Sequence, residues 1–179
     1  MSSLRQEQIS AASQFAETTL RLLAHEPSLH TETVIAANAR MAGTFLFRSF
    51  AHALNDITPG TVLLSQPSSE SGPNLIGLLS GALARLGITI DNALIDLQVA
   101  SAGKPRLDFL SSQRLLEPEF ILIKQRFALS YEEAAQAVAV ATAMLIKQSE
   151  KSLRPTAAFG IAVYGFIEGS KTAPDPVKR

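Results

Sequence analysis

Cysteine is absent from this 179-residue chain. Its absence excludes disulfides, thiolate nucleophiles and cysteine-ligated metals, and it leaves the redox compartment undetermined. Charged residues are also scarce, because they make up 18% of the chain, against about 25% in a typical soluble domain. Basic and acidic residues number 16 each. With no net charge, nothing favours nucleic acid or an anionic membrane as a partner.

The small number of charged residues predicts that part of the surface is buried in an interface. A compact domain of this length must cover about 8,000 Å² of surface, and few charged side chains are present to do it. We therefore expect a homo-oligomer, most simply a homodimer. The alternative is a monomer whose surface is built from the plentiful Ser, Thr, Gln and Asn residues.

Long apolar runs and familiar catalytic motifs are missing as well. No window reaches about 18 consecutive apolar residues, and the polar segment Met1–Gln8 has no apolar signal core. The Walker lysine, G-x-G-x-x-G and G-x-S-x-G are absent. His25 and His30 flank a proline break and lack the spacing of a helical metal pair. We expect a cytoplasmic, soluble protein with no metal or cofactor. The missing catalytic motifs favour a non-enzymatic protein over an enzyme.

The strongest signal that is present is a helix over residues 131–150. Ser130 and Glu133 have the spacing of a capping box. Between Ala134 and Ile146 only Gln136 and Thr142 are polar. A helix that is apolar nearly all round belongs in a core, so this segment is predicted to be the buried central helix.

Periodic apolar residues predict further helices around it. They fall in the following segments: 4–24, about 32–54, 75–86, part of 91–103, 106–116, about 118–128, and 155–168. The expected fold is mainly α, a compact bundle of about six or seven helices around the buried central helix 131–150. A single domain would span residues 1–171, followed by a flexible tail at 172–179, where Pro174 and Pro176 oppose regular structure.

Three segments are ambiguous. Residues 61–65 and 88–90 have the composition of short strands and would form a small two-stranded element within 61–90. Residues 157–167 fit a buried strand as well as a helix. Gly77 and Gly81, four residues apart, suggest a close helix crossing.

The first candidate site is a predicted loop from Ser65 to Gly72. If a strand precedes this loop and a helix follows at Pro73, free backbone N–H groups there attract anions. Ser69 and Ser71 would add hydroxyl donors, and Gly72 would allow a ligand close to the backbone. The competing interpretation is an ordinary polar connector whose serines cap the helix.

The second candidate site is a polar stripe on the helix that starts near Thr31. Arg40, Thr44, Arg48 and His52 recur at four-residue steps. The two arginines are about 12 Å apart along a helix axis, so their long side chains can reach one phosphate or carboxylate. The competing interpretation is a solvated face, or ion pairs with glutamates of a neighbouring helix.

Two functions follow from these patterns. The leading hypothesis is a self-associating helical protein that acts through protein–protein contacts. The alternative is a protein that binds, or acts on, a small anionic ligand held by the Ser65–Gly72 loop with Arg40 and Arg48.

Overall fold

The computed structural model of the protein describes residues 4–24, 29–50, 56–64 and 66–177, apart from the side chains of 66–68. These residues form seven α-helices and a short 3-10 helix at Asn92–Leu94. The α-helices are α1 (Gln6–Leu23), α2 (Thr31–Ser49), α3 (Gln66–Arg85), α4 (Ile95–Ser101), α5 (Phe109–Arg126), α6 (Tyr131–Gln148) and α7 (Pro155–Lys171). The predicted mainly α bundle is confirmed.

Helix α6 is the buried central helix that the sequence predicts. The Ser130 hydroxyl accepts the Glu133 N–H at 3.1 Å, and the Glu133 carboxylate accepts the Ser130 N–H at 2.8 Å. This reciprocal cap satisfies two backbone donors that the helix cannot pair internally. Along α6, every alanine is out of contact with solvent. Small side chains of this kind let α1, α2 and α3 pack closely on it.

Helix α2 lies beside α6 and is enclosed even more completely. It packs against α1, α3, α5, α6 and α7, and all residues from Thr33 to Phe47 except Arg40 are buried. A helix in this position must satisfy its polar side chains within the protein. The partners of its two arginines therefore come from neighbouring elements.

A buried hydrogen-bonded network joins α1, α2 and α6. The Asn38 amide donates to the Thr142 hydroxyl at 2.8 Å and to the Val138 carbonyl at 3.2 Å. Its carbonyl oxygen accepts the Thr19 hydroxyl at 2.9 Å. Because Asn38, Thr19 and Thr142 have no exposed surface, these bonds form only when the three helices are in one register.

Glycines allow α2 and α7 to cross at very short range. A Cβ atom added at Gly43 would stand 2.5 Å from the Phe166 carbonyl and 2.6 Å from the Ser170 nitrogen. A Cβ atom at Gly169 would clash with the backbone of Arg40 and Thr44, and one at Gly165 would come within 2.8 Å of the Ala39 Cβ. The crossing therefore depends on residues without side chains at these three positions.

The two-stranded element is absent from the residues that the structure describes. Their β pairing is limited to an isolated antiparallel bridge between Val62 and Thr172, and residues 88–90 form no strand. Residues 157–167 are helical, as part of α7. Two β-like apolar runs of this length cannot bury themselves as a sheet without further strands. Gly77 and Gly81 are on an open face of α3, with no atom within 4 Å of an added Cβ, so they make no close crossing.

The segment predicted as a tail is packed onto the bundle through residue 175. Thr172, Ala173 and Pro174 are buried. The Ala173 backbone exchanges hydrogen bonds with Gly60 and Thr61 at 2.8 and 2.9 Å. Residues 172–174 of the predicted tail are therefore buried, and the flexibility of 172–179 stays a prediction. The two prolines prevent a helix, but extended backbone can still pair with a neighbouring segment.

None of the helices in these described ranges is long and apolar enough to cross a lipid bilayer.

Candidate functional site

Arg40, the first residue of the predicted stripe, is held by three elements of the fold. Its Nε donates to the Glu168 carboxylate of α7 at 2.6 Å. Its Nη1 donates to the Leu107 carbonyl at 2.6 Å and to the Ser112 hydroxyl of α5 at 3.1 Å. The guanidinium thus joins α2, α5 and α7, and a carboxylate of the chain already occupies it.

Arg48 is held in the same way two turns further along α2. Its Nε and Nη2 donate to the two carboxylate oxygens of Glu117, at 2.5 and 2.9 Å, and Nη2 also donates to the Asp175 carbonyl at 2.7 Å. Gln113 donates to Glu117 and accepts the Asp175 N–H. A fork-to-fork pair with its remaining lone pairs satisfied is the arrangement in which buried charges are tolerated.

The two arginines therefore point to different carboxylates rather than to one shared site. This agrees with the competing interpretation, ion pairs with glutamates of neighbouring helices. His52 lies outside the described residues. The Thr44 hydroxyl is buried and has no hydrogen-bond partner in the described part of the chain. Binding of an external anion by Arg40 and Arg48 stays a prediction, and it would require displacing Glu168 and Glu117.

The predicted loop from Ser65 to Gly72 is not a loop over 66–72, because these residues form the first turns of α3. This part of the prediction is wrong. Ser69 and Gly72 border a groove of about 210 Å³ against Phe166, Ile167 and Lys171 of α7. Ser71 lines a separate cavity of about 370 Å³ next to Leu46. Since the helix begins before these residues, the N–H groups expected to cradle an anion at Pro73 belong to a helix interior.

A cluster of hydrogen-bonded side chains that the sequence analysis did not identify lies at the start of α2. The Thr33 hydroxyl is 2.7 Å from His30 Nδ1 and accepts the Arg106 N–H at 2.9 Å. On the other side of the ring, His30 Nε2 is 3.3 Å from the Glu32 carboxylate. Glu32 also accepts the Gly103 N–H at 2.9 Å. The sequence feature that could have identified this cluster is the three-residue spacing of His30 and Thr33 at the start of a helix.

This cluster borders a cavity of about 420 Å³ lined by Leu22, Leu23, His30, Thr33, Arg106, Leu107 and Leu115. Its size lies within the range of small-molecule sites, about 300–1,000 Å³. A second cavity of about 570 Å³ is bordered by Glu32, Gln98 and Arg154.

Two exposed ionisable groups, those of Asp108 and Arg114, have pKa values shifted from their ordinary values. Hydrogen bonds from the Ser111 backbone N–H and hydroxyl lower the pKa of the Asp108 carboxyl, with a smaller contribution from Arg40. Asp108 is the N-cap of α5, and its carboxylate accepts the Ser111 N–H at 2.7 Å. The hydrogen-bonded Asp175 carboxylate raises the pKa of Arg114. Both shifts result from stabilising contacts at the surface.

The outer face of α7 exposes one aromatic and one aliphatic side chain to solvent. Tyr164 is 70% exposed and Ile167 is 45% exposed, although most other residues of α7 are buried. Helix α4 covers α7 at Gly160, where an added Cβ would meet Val99 and Ile95. Tyr164 lies one turn further along the same face, beyond the end of that cover.

More exposed apolar side chains lie on segments that contact α7 or the residue that follows it. Leu97 of α4, which packs on α7, is exposed, as are Val62 and Leu64. Val62 is bridged to Thr172, directly after α7. The groove between α3 and α7 includes Ile167. We call Leu97, Tyr164, Ile167, Val62 and Leu64 the α7 surface.

The chain was compared with protein-family models, with curated proteins and with solved structures, and none of the three comparisons gave a match.

Proposed function

We propose that this protein acts through protein–protein contacts and that it associates with a second copy of itself through the α7 surface. The observation that carries the proposal is the exposure of Tyr164 in the middle of a mostly buried apolar helix. Tyrosine is enriched in interfaces because it combines a large apolar ring with a polar tip at low entropic cost.

A second copy is the partner that the composition favours. The chain carries 16 positive and 16 negative residues, so a strongly charged partner would gain little from long-range attraction. In a twofold dimer the same face of both copies is buried. Tyr164 and Ile167 of one protomer would then cover the corresponding residues of its partner.

The available surface is of the right kind for such a contact. A stable interface buries roughly 800 Å² on each partner, with an apolar centre and a polar border. Along α7, Glu168 and Lys171 follow Tyr164 and Ile167, before Thr172 and its bridge to Val62. Both charged residues are partly exposed and would supply polar contacts in the interface.

Light scattering coupled to gel filtration tests the proposal. At micromolar concentration the wild-type protein should have the mass of a dimer. Tyr164→Asp should give a monomer with an unchanged circular dichroism spectrum, because it places a charge in the centre of the interface. Leu122→Asp is the matched control, since Leu122 is exposed on α5, outside the α7 surface, and this variant should stay dimeric.

A monomeric wild-type protein would refute self-association. A dimer that persists in Tyr164→Asp and dissociates in Leu122→Asp would instead refute the location on α7.

A further inference from the structure

The cavity beside His30 is amphipathic, and this property points to a ligand class. Its apolar wall comes from α1 and α5 and includes Leu22, Leu23 and Leu115. Its polar wall comes from the start of α2 and the segment before α5, with His30, Thr33 and Arg106. A pocket with one apolar side and a few convergent polar groups is typical of small-molecule sites.

The polar wall is fixed in place before any ligand binds. Thr33 is 5% exposed, and its hydroxyl accepts the Arg106 N–H. It can then donate its own proton to His30 Nδ1, which leaves Nε2 to donate to Glu32. The imidazole, the hydroxyl and the Arg106 backbone are thus held together by hydrogen bonds, and a ligand would lose little entropy in ordering them.

Charge complementarity indicates an anionic head group. The guanidinium of Arg106 forms no ion pair with any described residue, in contrast to those of Arg40, Arg48 and Arg114. Next to the imidazole, the Glu32 carboxylate is already engaged by the Gly103 N–H and by His30 Nε2. A planar guanidinium binds a carboxylate through two parallel hydrogen bonds.

We propose that this cavity binds a small monocarboxylate with an aliphatic body. Arg106 binds the carboxylate, and Leu22, Leu23 and Leu115 cover the hydrocarbon chain. The site is independent of the proposed dimer, since its lining comes from α1, α2, α5 and the segment before α5, and α7 contributes nothing to it.

Isothermal titration calorimetry with octanoate tests this proposal on the full chain. Octanoate should bind saturably with one molecule per chain. Octanol, which has the same chain but no charge, and inorganic phosphate, which has charge but no chain, should each bind at least about tenfold more weakly. Absence of saturable octanoate binding up to millimolar concentration would overturn the proposal, as would equal affinity for octanol.

Two pairs of variants locate the site. Arg106→Gln should weaken octanoate binding by about tenfold or more, whereas Arg154→Gln, at the other cavity, should not. Leu115→Asp should abolish binding by placing a negative charge in the cavity. Leu122→Asp, the same substitution on the same helix but outside the cavity, should bind like wild type. Octanoate affinity that is unchanged in both Arg106→Gln and Leu115→Asp would overturn the assignment.

Discussion

The carboxylate of Glu117 and the guanidinium of Arg48 form a two-pronged ion pair between α5 and α2, and both side chains are more than nine-tenths buried. Around them, Gln113 and the Asp175 backbone satisfy further donors and acceptors. This pair therefore fixes the C-terminal segment and α5 against α2. Such an arrangement is sensitive to the loss of either partner, because the other charge would be left buried and unpaired.

Removing the carboxylate should be severely destabilising. We expect Glu117→Ala to lower the free energy of unfolding by about 3–5 kcal/mol, since the buried Arg48 would lose the counter-charge of Glu117. Urea denaturation followed by circular dichroism measures this loss. The double variant with leucine at both positions should recover part of it, because neither charge is then buried.

The matched control is Glu119→Ala. Glu119 forms a longer ion pair with Arg21 at 3.7 Å, and both side chains are largely exposed, so the loss should be below about 1 kcal/mol. Equal losses in Glu117→Ala and Glu119→Ala would show that the buried pair has no special role.

The crossing of α2 and α7 gives a second prediction. Gly43→Ala places a methyl group against backbone atoms of α7 that cannot move without shifting the helix. We expect a loss of about 1–3 kcal/mol in the free energy of unfolding. Gly77→Ala should instead stabilise the protein by about 0.5–1 kcal/mol, because Gly77 is within α3 and faces open space. The same denaturation curves compare both, and a neutral Gly43→Ala would contradict the close crossing.

Local signals explain which parts of this fold are predictable. The cap of α6 involves Ser130 and Glu133, which are three residues apart, so their spacing alone identifies it. The start of α3 is different. Its serines, glycine and Pro73 have the composition of a loop, but Leu75, Leu79 and Leu83 are buried in the bundle. Tertiary packing of that apolar stripe outweighs the local preference of the preceding residues.

The candidate sites also depend on contacts that local sequence patterns do not reveal. The sequence identifies Arg40 and Arg48 as a pair on one helix. Their carboxylate partners, Glu168 and Glu117, are 128 and 69 residues away along the chain. No local pattern connects residues at such separations, and only the three-dimensional arrangement shows that these carboxylates occupy the guanidinium groups.

The buried network of Asn38 gives a third prediction. Asn38→Ala removes the amide that links α1 and α6 through α2, and it leaves a small cavity. We expect a loss of about 1–3 kcal/mol in the free energy of unfolding. Thr142→Val should have a smaller effect, because the Asn38 amide can still donate to the Val138 carbonyl. Urea denaturation ranks the two variants, and a larger loss in Thr142→Val would contradict the central role of Asn38.

The cap of α5 makes stability depend on pH in acid. Hydrogen bonds from Ser111 lower the pKa of Asp108 in the folded protein. As pH falls through the pKa range of an ordinary carboxyl group, Asp108 takes up a proton in the unfolded chain before it does so in the folded protein. The free energy of unfolding therefore decreases as pH falls. The contribution of Asp108 is complete above the unfolded pKa, and it is lost as pH falls through the lower folded pKa.

The variant Asp108→Asn tests this linkage, because the amide can still accept the Ser111 N–H but carries no charge. Unfolding free energies measured by urea denaturation at a series of pH values should decrease less steeply for Asp108→Asn than for wild type below about pH 4. At neutral pH the variant should be slightly less stable, since a negative charge at a helix N-terminus is favourable. Parallel curves across the acid range would show that Asp108 takes up no extra proton on unfolding, and hence that its cap is not formed in solution.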